Sequence, residues 1–377
     1  MKLKQFWLLS SLLCWQLLVN AQRPAATAAT SRQIAFKGAE GFGALAAGGR
    51  GGQLYHVTNL EDSGPGSFRE GVSQPHRIIV FDTAGVIRLK SRVNVAGHIT
   101  INGQSAPAPG ITLYGASIAF NKISEVVVRY LRLHGSINMS RGSCVLIADN
   151  SDQLIFDHVS VTWGRWDNVH IKGSSNITLQ YCLIGESLDP QRFGALLEGP
   201  TRLSVHHSLW IDNQSRNPKA KAEIEFVNNV VYNWGTSGFV GGHSAANHYQ
   251  DMIGNYFVAG PSSTTNFLSM FTGTDHVYHS DNLVDLNKDG ILNGVSFTDK
   301  DFVTKTGQPT LMRKKQSRPP VPITATGAAA AFAAIQQSAG ASNYRDQVDQ
   351  RLIHQLVSKG TEGAVIWTET QVGGQSK

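Results

Sequence analysis

The chain has 377 residues, 41% of them apolar, with 38 glycines and a formal net charge of +6. That balance describes a globular, turn-rich chain poor in helical stretches, large for one domain yet ordinary for an all-β architecture. The excess of cations is modest and by itself no nucleic-acid footprint, but it suits a polyanionic partner if the cations converge on one groove.

Residues 1–21 begin Met-Lys-Leu-Lys, run apolar from Phe6 to Val19 and close on Val19-Asn20-Ala21. A basic start, a short apolar core and small residues at the cleavage positions make a secretory signal peptide. The apolar run is too short for a comfortable membrane span, and no later stretch resembles one. The expected product is soluble, secreted or periplasmic, and begins near Gln22. Without Lys2 and Lys4 the net charge falls to +4, and Cys144 and Cys182 are the cysteines that remain. Export permits a disulfide between them; two buried free thiols are the alternative.

Residues 22–35 read as a flexible leader. From Gly38 to Gly52 the chain is too glycine-dense for helix or regular strand. No Gly-Lys-Ser/Thr follows, so a phosphate-cradling loop is disfavoured, and close backbone turns over a sheet end are expected. Short β-branched runs then follow at 54–58, 77–81, 99–101, 111–114 and 126–133, separated by Gly, Pro, Asn or Asp.

From Leu154 one phrase recurs, an apolar-alternating run of eight residues and a turn, with copies beginning at 154, 177, 203, 224, 250 and 277. Such a period signals stacked coils of a solenoid. The sixth position of each copy forms a column, Val159, Cys182, Ser208, Asn229, Asn255 and Asn282. Its three successive asparagines suggest a ladder of side-chain amides bonded from coil to coil.

One coil carries Ser215-Arg216-Asn217-Pro218-Lys219-Ala220-Lys221. Pro218 fixes its own φ and restricts Asn217, so the backbone leaves the strand in a set direction. Three cations within six positions repel one another, which points to anion binding, with a solvated charge run as the bland alternative. Further on, Asp285-Leu-Asn287-Lys-Asp289-Gly290 imitates the start of a calcium loop, but its twelfth position is Ser296 rather than Glu. His206 and His207 are adjacent in a strand, so they are expected on opposite faces, unable to chelate one metal. Trp163, Trp166 and Trp210 are either sugar platforms or core. Residues 298–326 read as an irregular arm, and Arg345–Gly360 as one amphipathic helix with Val348, Leu352, Ile353, Leu356 and Val357 on its apolar stripe.

Several stretches in order resemble the pectate lyases of the first polysaccharide-lyase family, the bacterial secreted type. They are Gly38-Ala-Glu-Gly-Phe-Gly-Ala, Thr58-Asn-Leu-Glu-Asp-Ser-Gly-Pro-Gly-Ser-Phe-Arg, Ile101-Asn-Gly-Gln-Ser-Ala-Pro and Asp157-His-Val-Ser-Val-Thr-Trp-Gly. His206-His-Ser-Leu-Trp, Arg216-Asn-Pro-Lys and Arg345-Asp-Gln-Val-Asp complete the set. The resemblance implies a right-handed parallel β-helix over 36–297 as the catalytic domain, with 298–377 as a C-terminal arm and helix packed on it. It implies β-elimination on a 4-linked galacturonan, pectate or pectin, and an acidic plant-type polysaccharide as partner, with no nucleic acid, no membrane and a monomeric enzyme.

By position, Arg216 resembles the family's catalytic arginine and Lys221 a cation that grips the substrate carboxylate. Lys219, Arg192, Arg165 and His170 are expected to help hold substrate. Family calcium sites draw carboxylates from two adjoining coils, and calcium prefers six to eight oxygen ligands. Here Asp167 is the sole carboxylate, beside Arg141 and Arg165. Operation without a cofactor is therefore favoured, with calcium the possibility the resemblance leaves open. The competing expectations are a glycoside hydrolase, which needs two carboxylates astride the bond, and a non-catalytic β-helix that binds acidic glycan.

Overall fold

The computed structural model describes residues 32–375. The signal peptide at 1–21 and most of the 22–35 leader lie outside the described residues. Three long sheets run the length of the molecule, of eleven, eight and ten strands. Each coil contributes one short strand to each sheet, and every pairing but one is parallel, giving the parallel β-helix expected.

The six repeat starts stack in register, Leu154 on Ile177, Leu203, Ile224, Gln250 and Val277. Each repeat is, however, two strands rather than one run. Asp152–Asp157 belongs to the eleven-stranded sheet and Ser160–Thr162 to the ten-stranded sheet, with His158 between them at φ 56°. The same left-handed bend recurs at Tyr130, Tyr181, His207, Asn228, Gly254 and Asp281. Aromatic side chains offset its cost by stacking, with ring centroids 4.5 Å apart for Tyr130 and His158, 4.9 Å for His158 and Tyr181, and 5.1 Å for Tyr181 and His207. The bend corrects the expectation for His206 and His207. Because His207 turns at φ 51°, the two Nδ1 atoms meet at 2.9 Å instead of pointing apart.

Immediately after the bend comes the amide ladder. Asn282 Oδ1 accepts from the Asn255 backbone N–H at 2.9 Å and side-chain Nδ2 at 2.8 Å, and Asn255 Oδ1 serves Asn229 in the same way at 2.9 and 3.2 Å. Asn229 Oδ1 takes the Ser208 N–H, and Ser208 Oγ takes that of Cys182. Fully buried amides are thus satisfied across five coils, as burial demands. Cys144 and Cys182 are free, buried thiols, and burial foremost pushes each up to about 12.

Strand alternation divides the apolar residues between two cores. Ile184, Trp210, Val231 and Phe257 fill the interior, while Leu183, Leu209, Ile211 and Val230 face outward on the ten-stranded sheet. Two helices cover that outer face. Gln347–Val357 is the expected amphipathic helix, capped by Asp346, whose side chain accepts from the Asp349 N–H at 2.9 Å, and it buries Val348, Leu352 and Leu356. Arg351 ties it down through both oxygens of buried Glu186, at 2.5 and 2.8 Å. The second helix, Ala328–Ser338, was not foreseen; it buries Ala331, Phe332 and Ile335, with Phe332 against Tyr256.

The glycine-rich block runs over the eleven-stranded sheet from its middle, where Gly41 and Gly43 lie against Ser204, Thr178 and Leu154, to its end, where Gly49 and Gly52 lie against Arg77 and His76. The Gly43 N–H donates to Thr178 Oγ1 at 2.9 Å, and a Cβ there would lie 2.2 Å from the Leu154 carbonyl, so a side chain is barred. The 298–326 arm returns alongside, Gly41 N–H donating to the Val321 carbonyl. The last coil closes with Val295–Ser296, which pairs antiparallel to Leu283–Asp285. Oxygens of Asp285 and Asp289 in the calcium-like loop accept from its own N–H groups, those of Asn287, Ile291 and Asn293. No helix among the described residues is long and apolar enough to cross a membrane.

Candidate active site

The basic run enters the eight-stranded sheet from a polar bed. Asn217 Oδ1 accepts from Asn213 Nδ2 at 3.0 Å, Asn213 Oδ1 from Asn168 Nδ2 at 3.2 Å, and Asn168 Oδ1 from the Gly164 N–H at 2.8 Å. These buried amides lock the backbone beneath Arg216, which sits at φ 58°. The preceding coil approaches so closely that a Cβ on Gly194 would stand 2.5 Å from the Arg216 carbonyl. Lys219–Lys221 then pairs with Leu196–Glu198. Ala220 points into the core, so Lys219 and Lys221 face outward.

Arg216 lies over Phe193, its guanidinium carbon 4.1 Å from the ring centroid. One terminal nitrogen donates to both Asp167 oxygens at 3.2 and 3.1 Å. Its Nε and other terminal nitrogen meet no acceptor among the described residues, and the side chain is 21% exposed. Asp167 is buried, and burial pushes its carboxyl up to about 7 even though Arg216 and Lys219 both act to lower it. Desolvation, then Arg216 and Lys221, bring the Lys219 ammonium down to about 8. Among the described residues Lys219 has no carboxylate partner within ion-pair distance, and its ammonium meets the Met270 sulfur at 3.8 Å. Lys221 and Lys172 share Glu198, at 3.8 and 3.6 Å.

The other expected residues divide. His170, Leu196 and Lys219 are consecutive in register, which puts His170 two strands, or about 10 Å, from Lys219 on the same face; its Nδ1 lies 3.5 Å from Asp149. The Arg192 guanidinium rests 3.7 Å over the ring of Trp367, from the C-terminal tail. Arg165 is otherwise engaged. Its nitrogens donate to the carbonyls of Ile137, Met139 and Asp189, with the Asp189 carboxylate 3.5 Å away, so it braces the loop instead of facing solvent. Trp163 and Trp210 are fully buried core, whereas Trp166 is 36% exposed.

Sequence reasoning missed Phe193, Asp189, Glu198 and Trp367. Phe193 adjoins Arg192 in sequence, but the register that sets Glu198 beside Lys221 and the fold that brings Trp367 to Arg192 leave no local signal. Cavities of about 300 Å³ near Lys90, Arg92 and Ser143 and about 350 Å³ near Met270 and Lys305 lie toward the two ends of the eight-stranded sheet, with the basic cluster between. Another of about 590 Å³, by Gln104, Arg129 and Tyr344, is no rival. Its cation Arg129 is paired with Asp157 at 2.7 Å.

Calcium does not fit this cluster. Asp167 is bound to Arg216, Asp189 lies between Arg141 at 3.3 Å and Arg165, Asp149 faces His170, and Glu198 faces two lysines. Each of these carboxylates already has a cation or histidine partner, which competes with service among the six to eight oxygen ligands calcium prefers. Among the described residues, the one three-membered metal-capable group is His134, Asp346 and Asp349. It lies under the C-terminal helix, with Arg132 3.5 Å from Asp346.

No family model matches the chain. Curated relatives do. It is 42% identical over 348 residues to the probable pectate lyase C of Aspergillus fumigatus, covering 92% of this chain and 82% of that one. The Neosartorya fischeri counterpart gives the same figures. Among solved structures it resembles jun a 1, the major allergen from cedar pollen, at a TM-score of 0.60 and 18% identity, over 80% of this chain and 92% of that one. That likeness speaks for the fold, while the identity to the fungal proteins, sustained along nearly the whole chain, speaks for descent: the chain belongs to the pectate lyase family.

Proposed function

We propose that the protein is a polysaccharide lyase that cleaves a 4-linked galacturonan by β-elimination, with Arg216 as its catalytic group. The observation that carries this reading is Arg216 itself, fixed by Asp167 and Phe193 with donors left over, beside a lysine that has no acidic partner among the described residues. Removing the proton at C5 of a uronate turns an already anionic carboxylate into an enolate dianion; the C4–O bond then breaks to leave an unsaturated sugar, and the departing oxygen takes a proton from water. Charge is therefore the obstacle. A cation held about 4 Å away contributes roughly 4 kcal/mol at an effective dielectric of 20. Felt only in the transition state, that is about a thousandfold in rate.

Arginine keeps its proton in proteins, so Arg216 stabilises the dianion while hydroxide takes the C5 proton. Lys219 and Lys221 hold the uronate carboxylates of the chain in the groove, and His170 lines it. Cation charge does the work of a metal at this cluster. Hydrolysis is disfavoured because no unpaired carboxylates flank the site among the described residues: Asp167 is paired with Arg216, and Asp212 is buried against Asn233 at 2.5 Å. Export by the 1–21 segment and action as a monomer belong to the same proposal.

The test is incubation with polygalacturonate, following the ultraviolet absorbance of the unsaturated product with and without chelator. Growth of that absorbance in chelator, lost in Arg216→Ala, is the expected result. New reducing ends without absorbance would mean hydrolysis, and binding without either would mean a lectin-like role. Activity abolished by chelator would overturn the metal-free reading.

A further inference from the structure

Resting on the lyase reading, we propose that Trp367 and Arg192 form a uronate subsite in which the C-terminal tail completes the substrate groove. The ligand is one sugar of the acidic chain next to the residue that reacts at Arg216. Its carboxylate meets the Arg192 guanidinium, and its pyranose ring meets the exposed indole.

Four observations carry this. First, Trp367 is 52% exposed, an unusual setting for an indole that packing alone would bury. Second, its position is firmly set. Its carbonyl accepts from the Asp189 N–H at 3.0 Å, its own N–H donates to Gln371 Oε1 at 2.6 Å, and the preceding Ile366 is buried in the helix-covered core. Two residues on, buried Glu369 accepts from Ser136 Oγ at 2.8 Å and from the Ile137 N–H at 3.1 Å.

Third, the Arg192 guanidinium stacks on this ring at 3.7 Å yet makes no ion pair and donates no hydrogen bond among the described residues. Its Nε is shielded from solvent without a partner. A guanidinium held over an aromatic face keeps its planar fork of N–H groups, the geometry that matches a carboxylate. Fourth, the pair adjoins the reacting centre. The Arg192 carbonyl accepts from the Gln214 N–H at 2.7 Å, two residues before Arg216, and Phe193, which carries Arg216, is the next residue along. Two arginine-on-aromatic stacks thus stand on neighbouring coils, which makes them suited to reading two carboxylates of one chain.

The experiment compares Trp367→Ala, Trp367→Phe and Arg192→Ala with the wild-type protein on polygalacturonate and on highly methyl-esterified pectin, recording kcat, KM and melting temperature. A lost carboxylate clamp is worth about tenfold or more in KM. Arg192→Ala is expected to lose that on polygalacturonate and little on the esterified polymer, which lacks the charge. Trp367→Ala is expected to raise KM severalfold on both with kcat nearly kept, and Trp367→Phe to restore it. The proposal is overturned if Trp367→Ala leaves KM unchanged. It is equally overturned if KM rises only with a fall in melting temperature that Trp367→Phe does not repair, because the ring would then be packing alone. Failure of the lyase reading would look different: no unsaturated product from the wild-type protein, or product undiminished in Arg216→Ala.

Discussion

Replacing Asp167 by Asn should make the protein more stable and less active at the same time. The Asp167 side chain is 1% exposed, and its proton affinity rises from 3.8 to about 7 on folding. A group whose folded pKa is raised contributes stability that is complete below the unfolded value and is lost as pH climbs through the folded one. Wild-type stability should therefore decline between about pH 4 and pH 7 from this residue. At 1.36 kcal/mol per unit, the shift is on the order of 4 kcal/mol, and it arises from burial, which outweighs the opposing pull of Arg216. Asp167→Asn cannot ionise, so it should match the wild type at about pH 3.5, below the unfolded pKa of 3.8, and melt higher at pH 8. Its activity should fall, because Arg216 loses the anion that aims it, and a misplacement of about 1 Å costs on the order of a hundredfold. Thermal melts and initial rates on polygalacturonate at both pH values decide the matter. A variant that melts below the wild type at pH 8, or keeps its kcat/KM there, would refute the coupling.

Lys219 carries a cation whose proton leaves near pH 8; KM for polygalacturonate should climb as pH passes that value, and Lys219→Arg, which stays charged, should flatten the climb. Asn255→Ala removes the acceptor of two Asn229 donors and the donor to the Phe226 carbonyl; at about 1–3 kcal/mol for each buried group left unpaired, urea titration should show a loss of several kcal/mol. Leu352→Ala empties a fully buried position beneath the C-terminal helix and should cost about 2–5 kcal/mol with little effect on KM.

The coils were legible because the alternation of two that sets a repeat's inward face also sets its register, so Leu154, Ile177 and Leu203 could be aligned by eye. The asparagine column was legible for the same reason. The bends were not, since His158, Tyr181 and His207 occupy a conformation usually left to glycine and are held there by stacking one coil away, which no single coil reveals. The Ala328–Ser338 helix escaped because its alanines carry little amphipathic contrast. At the site, Arg216, Lys219 and Lys221 announced themselves as repelling charges close in sequence. Arg165 looked equivalent from composition, yet the carbonyls of Ile137, Met139 and Asp189 absorb its donors, and that depends on loop paths a sequence does not carry.

The reversed strand Val295–Ser296 has a bearing on solubility. Identical coils present at either end of a stack the same row of amides and carbonyls, an invitation for another molecule to continue the column. Running the final strand backwards spoils that invitation, since parallel and antiparallel ladders space their bonds differently. The neighbouring edge, Thr310–Leu311, is only two residues long, too little to template an addition. One short reversed strand can thus keep the C-terminal end of an otherwise endless architecture finite.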